Sequence, residues 1–546
     1  MIIHLVQRLQ NFGLLILSCR EAWNRGGNGP SGRAASWCGD FRSPRQPKFI
    51  KRHNAPTFQR FIPILFAATI IMAGCTVGPT FKKTAAPSQT RYTPAPLPAQ
   101  TVATTNVMGG DSQRFVEGMD IPGQWWTLFH SKPLDDLIQR ALTNSPDLAA
   151  AQAALAGAHE NLLAQNGAYY PSANASFSAT RQRTSHEIAP VPNANQFNFS
   201  LFTPEVSVAY SPDVFGLNRR TVELLKAQEN GARFALAAAH VTLSANIVVA
   251  AVQEASLRAQ INASLRIIAI NENILQVQRS QYAKGAVTRA ALAAQESQLA
   301  QSEAALPPLK NQLAQVRDQL AALSGGFPGD GLPETFDLAA LQLPRDLPVT
   351  LPSQLVAQRP DIRQAEENLH SASALIGVAI AHRIPNITLT ANAGTMALTA
   401  GEIFSGGAGM WDIGAGITQP IFEGGALLHQ ERAARDACAQ AAAQYRSTVI
   451  TAFQNVADTL NALQHDAETL QSAATAANAA RISLDLTRRQ LEVGGAGYLD
   501  VLNAEQTYQQ ANIALIQARA NRYSDTAALF QALGGGWWNA GPAQPF

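Results

Sequence analysis

Four short stretches of the chain alternate apolar and polar residues, and each predicts a β-strand with one apolar and one polar face. The first and third stretches follow Pro171 and Pro385. The apolar positions are Ala173, Ala175, Phe177 and Ala179; Val206, Val208 and Tyr210; Ile387, Leu389, Ala391 and Ala393; and Ile413, Ala415 and Ile417. The polar face is small and uncharged, which suits a water-filled lumen. The edge of a β-sandwich is the alternative, but it needs a second sheet that the pattern does not contain.

Each pair of predicted strands brackets a polar or glycine-rich segment, residues 181–198 and 396–410, and we expect both segments to form external loops. Four strands are too few to close a membrane barrel, because about eight strands are the practical minimum. An isolated four-stranded sheet would leave its two edges exposed. Closure of the sheet therefore requires several copies of the chain.

The rest of the pattern predicts helices that are too long for an ordinary globular domain. Residues 218–284 contain no proline and are rich in Ala, Leu, Gln and Glu, which favour helix. A helix of that length would reach about 100 Å. A matching run covers residues 425–493. Within it, spacings of four and three alternate along Val449, Phe453, Val456, Leu460, Leu463, Ala467 and Leu470, which predicts coiled-coil packing.

Both long runs end at a glycine, Gly285 or Gly494, and a second helical run follows each of them. This order predicts an antiparallel helical hairpin in each half of the chain. Pro307 and Pro308 should break the first return helix, because proline removes a donor and clashes with the preceding turn. The second return helix has Ile516-Gln517 at the same place and should continue unbroken. Glycines at 325–326 and 534–536 are stop signals for the two return helices.

The two halves repeat one plan, which indicates an internal duplication rather than a series of domains. At an offset of 214 residues, Pro146, Asp147, Ala151, Leu155 and Pro171 match Pro360, Asp361, Ala365, Leu369 and Pro385. At an offset of 209, the matches include Gln281 with Gln490, Gly285 with Gly494, Glu296 with Glu505, and Leu320 with Leu529. A period near 210 residues is too long for a solenoid.

Composition changes this picture little. Only 15% of the residues are charged and 7% are aromatic, so a conventional bulky core is not expected. The net charge is +2, but residues 1–74 hold ten basic and two acidic residues, which leaves the remainder at −6. Without a basic stripe, nucleic acid is not an expected partner. The four cysteines suggest no disulfide framework.

One cysteine follows a targeting pattern. Basic residues between positions 48 and 60 precede the apolar stretch Phe61–Met72, which ends in Ala73-Gly74-Cys75. This is the order of a secretory signal, and small residues before a cysteine resemble a bacterial lipobox, so we expect Cys75 to be lipidated. The alternative is a poor signal peptide with a chance cysteine. Thr76 in place of an aspartate permits delivery to the outer membrane. Residues 1–47 indicate an over-extended gene start or an unusual leader.

Together these motifs resemble the TolC-type outer membrane efflux family, and most closely its NodT-type lipoprotein branch. The resemblance runs from Cys75 to about Trp537. The motifs that carry it are Cys75-Thr-Val-Gly-Pro79, Trp125-Trp126 with Phe129, Asn144-Ser-Pro-Asp147, Asp213-Val-Phe-Gly216, Leu306-Pro-Pro-Leu309, Gln419-Pro-Ile-Phe-Glu-Gly-Gly425, Gly494 with Tyr498-Leu-Asp-Val-Leu502, and Ala532-Leu-Gly-Gly-Gly-Trp537. Their order across both halves is more specific than any one of them.

The resemblance implies an α+β fold that works as a homotrimer. Three chains would form a twelve-stranded outer-membrane β-barrel, a long periplasmic α-helical barrel and a mixed α/β equatorial belt. The expected function is that of the exit duct of a tripartite efflux system, which passively conducts small toxic compounds. The expected partners are a periplasmic adaptor protein, an inner-membrane pump of the RND type, and outer-membrane lipid. The transported compound cannot be read from the sequence.

The family also implies a narrow periplasmic aperture lined by acidic side chains. Asp500 matches one aperture aspartate, whereas the second position holds Asn503 and an arginine of some members is replaced by Ala496. Three copies of Asp500 would form a ring that favours cations. The alternative is that Asp500 only caps the return helix. We expect Lys284, Gly285, Val493 and Gly494 to lie at the hairpin tips, beside the adaptor.

Other functional classes fit less well. No nucleophile–base pair, metal-ligand spacing or phosphate loop is present, so no catalysis, metal or cofactor is expected: His159-Glu160 lacks a second histidine and Gly406–Gly409 lacks a strand-to-helix context. A periplasmic adaptor would have one hairpin and no membrane strands.

The pattern predicts seven consecutive segments along the chain. They are a leader (1–47), a signal peptide (48–74), an anchored segment (75–132) that contains the Pro/Thr/Ala-rich linker at 84–106, a first repeat (133–330), a connection (331–352), a second repeat (353–536) and a tail (537–546).

Overall fold

A computed structural model describes residues 76–85, 87–183 and 198–539. The helices are α1 (Lys132–Asn144), α2 (Pro146–Asn166), α3 (Leu217–Ala283), α4 (Arg289–Ala304), α5 (Leu306–Leu323), α6 (Pro352–Gln358), α7 (Pro360–Ala381), α8 (Ala426–Glu492) and α9 (Tyr498–Ala532). The strands are β1 (Arg114–Glu117), β2 (Ser172–Arg183), β3 (Asn198–Tyr210), β4 (Asp346–Val349), β5 (Asn386–Thr395) and β6 (Gly409–Thr418). The predicted leader, the signal peptide, Cys75, most of the first external loop and most of the tail lie outside the described residues.

The two predicted long helices are confirmed, and they are equal in length. Helices α3 and α8 each contain 67 residues and start after a glycine in the left-handed region, Gly216 (φ 82°) or Gly425 (φ 86°). The sequence fits this length because it contains no helix breaker and many strong helix formers. The return helices also agree with prediction: the first is interrupted at Ala305, just before Pro307, and α9 runs unbroken for 35 residues.

The predicted heptad seam of α8 is buried. Val456, Leu460, Leu463, Ala467 and Leu470 have no exposed surface. Val449 is also buried, and Phe453 is partly buried against the same core. Since α8 packs against α9 and α7, the seam is the surface through which the second hairpin is held together.

The four predicted membrane strands form one antiparallel sheet in the order β2-β3-β5-β6. Its register aligns residues of one kind across all four strands. Ala175, Val206, Ala393 and Trp411 form one apolar row, and Ala173, Val208, Ala391 and Ile413 form the next. Between them runs a polar row of Asn174, Ser207, Asn392 and Asp412. Because directly paired residues share a face, the sheet has one apolar and one polar side, as the alternation predicts. The expectation of an uncharged polar face is wrong at Asp412, which lies in the polar row and accepts from the Asn392 side chain at 3.2 Å.

A second, smaller sheet was not evident from the hydrophobic pattern. Strands β1 and β4 pair in parallel although 228 residues lie between them in the chain. We call β1, β4, α1 and α6 the belt. Trp125, Phe129 and Phe530 are fully buried here, and the Trp125 and Phe530 rings stack with centroids 5.2 Å apart. The same core includes alanines from the middle of α3, so the belt packs against this long helix near its midpoint.

The Pro/Thr/Ala-rich stretch is extended, and it packs against the rest of the protein. Most of residues 87–106 lack regular structure, and yet the Tyr92 hydroxyl donates to the Thr350 carbonyl at 2.9 Å, while Thr101 is buried. The stretch is therefore part of the belt surface.

Among the described helices, α3 alone contains a window apolar and long enough to cross a membrane, but more than half of that window is buried within the protein.

Candidate functional site

The first hairpin tip is shaped by one residue with a left-handed backbone. Gly285 (φ 71°) follows the end of α3, and its N–H donates to the Tyr282 carbonyl at 2.9 Å. The Ala286 N–H donates to the Gln281 carbonyl at 2.9 Å. These two bonds are a Schellman motif, which satisfies the last carbonyls of the helix. The Thr288 side chain then accepts from the Ala291 N–H at 3.2 Å and starts α4.

The second tip repeats this geometry. Gly494 (φ 77°) donates to the Leu491 carbonyl at 3.1 Å, and Gly495 donates to the Gln490 carbonyl at 2.7 Å. Lys284, Gly285, Val493 and Gly494 are all exposed, and Val493 is 83% exposed. The duplication therefore presents two matched tips to solvent. Contact of these residues with an adaptor protein stays a prediction.

Asp500 and Asn503 lie on the first turns of α9, one turn apart and both exposed. One carboxylate oxygen of Asp500, Oδ2, accepts from the Gly497 N–H at 2.9 Å. This bond caps the helix, as the alternative interpretation predicts. The side chain nevertheless stays exposed, so capping and an aperture role are compatible, and the aperture role stays a prediction.

Side chains tie the two hairpins together just behind the tips. The Tyr498 hydroxyl, at the start of α9, donates to the Gln281 side chain at the end of α3. Arg488 of α8 donates to Glu505 of α9 at 2.9 Å, and Glu505 is only 4% exposed. Burial raises the pKa of Glu505, while the charge and hydrogen bond of Arg488 oppose that rise. The second hairpin therefore has an internal ion pair close to the candidate aperture.

Sequence reasoning missed this pair, although a signal was available. Glu505 and Glu296 match at the repeat offset, and Arg488 and Arg279 match at the same offset. The first-half pair is also formed, with Arg279 and Glu296 3.5 Å apart. A charge retained in both halves on each of two neighbouring helices is the signature of a contact between them.

The opposite end of the long helices holds the segment that follows Cys75. The Val77 N–H donates to the Phe215 carbonyl at 3.3 Å, and buried Arg220 donates to the carbonyls of Val77 and Gly78 at 2.8 and 3.1 Å. A Cβ on Gly78 would lie 2.4 Å from the Gly377 Cα, so this close approach requires glycine. The start of the described chain is thus fixed where β3 turns into α3, next to the membrane sheet.

The sheet itself has a wide apolar face and two edges without partners in a single chain. Trp411 and Ile413 are 76% and 77% exposed, and Phe177 and Ile417 are similarly exposed. Within the described residues, β2 and β6 each pair with one strand only. In residues 76–85, 87–183 and 198–539, no group of three or more His, Cys, Asp or Glu side chains is placed to hold a metal ion. A four-stranded sheet with an exposed apolar face, connected directly to long paired helices, is the architecture of a class of outer-membrane conduits.

Comparison with known proteins places the chain within that class. Residues 137–326 and 351–535 match the outer membrane efflux protein family. The chain is 30% identical over 489 residues to the pyoverdine export outer membrane protein OpmQ of Pseudomonas aeruginosa, covering 87% of this chain and 96% of OpmQ. It is 26% identical to the probable outer membrane lipoprotein SilC of Salmonella typhimurium, covering 87% of this chain and 99% of SilC. The solved outer-membrane channel OprN matches with a TM-score of 0.74 at 25% identity, covering 85% of this chain and all of OprN.

The chain therefore belongs to the outer membrane efflux protein family. Its fold is TolC-like, with the family domain duplicated in one chain, as the sequence motifs predict. It is an outer-membrane protein that serves as the exit duct of an efflux system. The resemblance, the fold class, the function and the location expected from the sequence are confirmed at this level.

Proposed function

We propose that three copies of this chain close into one conduit, with a twelve-stranded barrel in the outer membrane above a twelve-helix periplasmic tunnel. The observation that carries the proposal is the register of the sheet. Apolar rows such as Ala175, Val206, Ala393 and Trp411 run straight from the open edge of β2 to the open edge of β6. An edge with unpaired backbone groups cannot face lipid, so a neighbouring copy must cover it.

In the assembled trimer, the apolar rows face lipid and the polar row of Asn174, Ser207, Asn392 and Asp412 faces the lumen. The small polar side chains of this row leave room for solutes to pass. The duct acts passively and without a catalytic step, and the direction of transport comes from a pump elsewhere in the system. OpmQ is named for pyoverdine export. We propose that this chain likewise conducts small compounds that are harmful inside the cell, while a pump selects them.

At the periplasmic end, the hairpin tips would form the aperture and the docking surface. Lys284, Gly285, Val493 and Gly494 are exposed and arranged alike in the two hairpins, so six similar tips would ring the tunnel. A periplasmic adaptor that has its own helical hairpin fits such a ring, and the adaptor would connect the duct to an inner-membrane pump, which we expect to be of the RND type. Asp500 would place one carboxylate per chain near the axis.

At the membrane end, we propose that Cys75 carries a lipid that anchors the trimer. The residues directly after Cys75 are clamped by Arg220 beside the sheet, so a lipid on Cys75 would enter the periplasmic leaflet of the outer membrane next to the barrel. SilC, which the chain resembles, is named as a lipoprotein.

Two neighbouring positions of β6 test the assignment of the two faces. Ile413→Lys should place a charge against lipid, which opposes insertion by about 2–4 kcal/mol per chain near the bilayer centre. Asp412→Lys puts the same residue on the lumen side and should leave assembly intact. Cross-linking of the detergent-extracted protein should stop at three chains for wild type and Asp412→Lys, and trimer should be depleted for Ile413→Lys. A monomeric wild type, or equal assembly of both variants, would contradict the proposal.

A further inference from the structure

A polar groove lies where the N-terminal loop of residues 103–107 crosses the second hairpin. It encloses about 590 Å³ between this loop, α8 and α9. The residues important for its chemistry are Thr104, Asn478, Arg481, Tyr508, Asn512 and Arg519. A cavity of this size is large enough for a small organic molecule. The groove is separate from the hairpin tips and from the membrane sheet.

Two buried polar atoms that line this groove have no partner. They are Nε of Arg519 and Oγ1 of Thr104. None of the described residues forms a hydrogen bond or an ion pair with the Arg519 side chain. Partial burial lowers the pKa of the Arg519 guanidinium, and the nearby Tyr523 side chain opposes this shift. The half-buried guanidinium can therefore accept an anionic partner from outside the chain.

The backbone of Thr104 is held in place by the loop around it. The Thr104 N–H donates to the Gly110 carbonyl at 2.7 Å, and the Gly110 N–H donates to the Val107 carbonyl at 2.9 Å. A Cβ on Gly110 would lie 2.2 Å from the Thr104 carbonyl oxygen, so the loop depends on glycine at that position. The donor from the loop is therefore positioned before any ligand arrives.

The second arginine of the groove is already neutralised. Arg481 donates to the Asp485 carboxylate at 3.3 Å and to the Asn478 side-chain oxygen at 3.3 Å. Arg481 and Asp485 cancel each other, and Arg519 leaves a single positive charge. A ligand with one carboxylate matches this single net positive charge better than a doubly charged phosphate does.

The equivalent positions of the first hairpin carry a different set of charges. At the repeat offset of 209 residues, Arg481, Asn512 and Arg519 correspond to Glu272, Glu303 and Lys310. Those positions hold two acids and one base, and Lys310 is exposed. The positive groove is thus a feature of the second hairpin only, and it is not a consequence of the shared fold.

We propose that this groove binds a small organic carboxylate. The carboxylate would accept hydrogen bonds from the Arg519 guanidinium and the Thr104 hydroxyl, and the amides of Asn478 and Asn512 can donate to further oxygens of the ligand. Because Thr104 belongs to the N-terminal loop and Arg519 to α9, the bound anion links the loop to the second hairpin. The ligand would stabilise this junction.

The test uses the detergent-solubilised full-length protein in its assembled state. Sodium acetate and sodium succinate are titrated by calorimetry against sodium chloride at equal ionic strength, and thermal unfolding is measured in parallel. Wild type should bind a carboxylate and unfold at a higher temperature with it. Arg519→Gln should weaken binding about tenfold or more, because it removes a charge-assisted bond, and Thr104→Val should weaken it less. Lys310→Gln is the matched control and should bind like wild type.

Several outcomes would overturn the proposal. One is a wild type that binds neither acetate nor succinate, and another is equal binding by wild type and Arg519→Gln. A third is that Arg519→Gln disrupts assembly while wild type binds no added anion, which would mean that a neighbouring protein chain supplies the carboxylate. Circular dichroism and size-exclusion chromatography of each variant separate a lost site from a lost fold.

Discussion

Arg488 donates to the carboxylate of Glu505 across 2.9 Å, and this contact joins the two helices of the second hairpin next to its tip. The pair in the first hairpin, Arg279 and Glu296, is longer at 3.5 Å and more exposed. Both halves of the duplicated chain therefore contain this ion pair, but it is more buried in the second half than in the first. In the second hairpin the acid is 4% exposed, and one of its oxygens, Oε2, has no hydrogen-bond partner.

This difference predicts that loss of the arginine destabilises the second hairpin more than the first. Arg488→Gln should leave Glu505 buried without its countercharge and destabilise the α8–α9 tip by roughly 1–3 kcal/mol. Arg279→Gln should change the first tip by less than about 1 kcal/mol, because Glu296 can be solvated. Hydrogen exchange of amides near each tip measures both effects. Equal protection in the two variants would show that the burial of Glu505 has no energetic consequence.

The glycine turns give a second prediction, with the control one residue away. Gly494 has a positive φ of 77°, and a Cβ at this position would meet open space, so only its backbone conformation demands glycine. Gly494→Ala should destabilise the tip by about 1–2 kcal/mol, because a left-handed conformation is unfavourable for residues with a Cβ. Gly495 is not in that region, and Gly495→Ala should have a smaller effect. Urea titration of tip proteolysis distinguishes the two, and a larger effect at Gly495 would contradict the assignment.

The features that the sequence predicted are those fixed by local pattern. The alternation of apolar and polar residues predicts the four strands of the larger sheet, and the absence of proline predicts the long helices α3 and α8. Pro307 predicts the interruption between α4 and α5. Each of these depends on residues close together in the chain. Glycine at 285 and 494 was identified because a turn between helices needs it.

The features that the sequence did not predict join distant residues. Strands β1 and β4 contain four residues each and pair across the whole first repeat, and no local period marks such short strands. The contacts of Arg220 with Val77 and Gly78 cross more than 140 residues. The Pro/Thr/Ala-rich stretch was interpreted as a linker because composition does not reveal packing against the belt. Long-range contacts of this kind become visible only when the fold is known.

A pair of carboxylates between α8 and α9 predicts a pH-dependent stability. Burial, together with the hydrogen bond and charge of Asp525, raises the pKa of Asp466 from 3.8 to about 7, and the charge of Arg522 opposes this rise. Between pH 3.8 and about 7, Asp466 is protonated in the folded protein, whereas it has lost its proton in the unfolded chain. The contribution of Asp466 to stability is therefore present at the acid end and falls as the pH rises towards 7.

Asp466→Asn should imitate the protonated acid at every pH. The variant should be more stable than wild type at pH 8, and this advantage should shrink as the pH falls towards 5. The difference between the two proteins isolates Asp466. Half-buried His240, whose pKa is lowered to about 4 by desolvation, contributes equally to both proteins with the opposite slope. Thermal unfolding from pH 5 to 8 is the measurement. A constant difference across that range would mean that Asp466 is ionised throughout.

Lipidation of Cys75 can be tested independently of transport. Cys75→Ser or treatment with globomycin should leave a slower-migrating precursor, and mass spectrometry of the wild type should find the mature chain starting at a lipid-modified Cys75. Arg220→Gln should not alter processing, because it acts on the folded segment after the cleavage site. Normal processing of Cys75→Ser to an unmodified mature chain would rule out the lipobox and leave an ordinary signal peptide.

The aperture prediction must separate the charge of Asp500 from its capping bond. Asp500→Asn removes the charge and keeps an oxygen that can accept from the Gly497 N–H, whereas Asp500→Ala removes both and should weaken the start of α9 by about 1 kcal/mol. If three Asp500 side chains converge on the axis, their carboxylates favour cations. Asp500→Asn and Asp500→Ala should then lower cation selectivity and the block by multivalent cations to the same extent in single-channel recordings.

Asn503→Asp should act in the opposite direction. Residue 503 lies one helical turn beyond Asp500 on the same side of α9, so a carboxylate there adds a second ring and should strengthen cation block. Trimer assembly should survive in all three variants, because exposed charges at a turn contribute little to folding. A change in selectivity with Asp500→Ala alone would trace the effect to the lost cap and to a distorted tip. Unchanged selectivity in all three would place the constriction elsewhere, and the sheet and the hairpins would still form the duct.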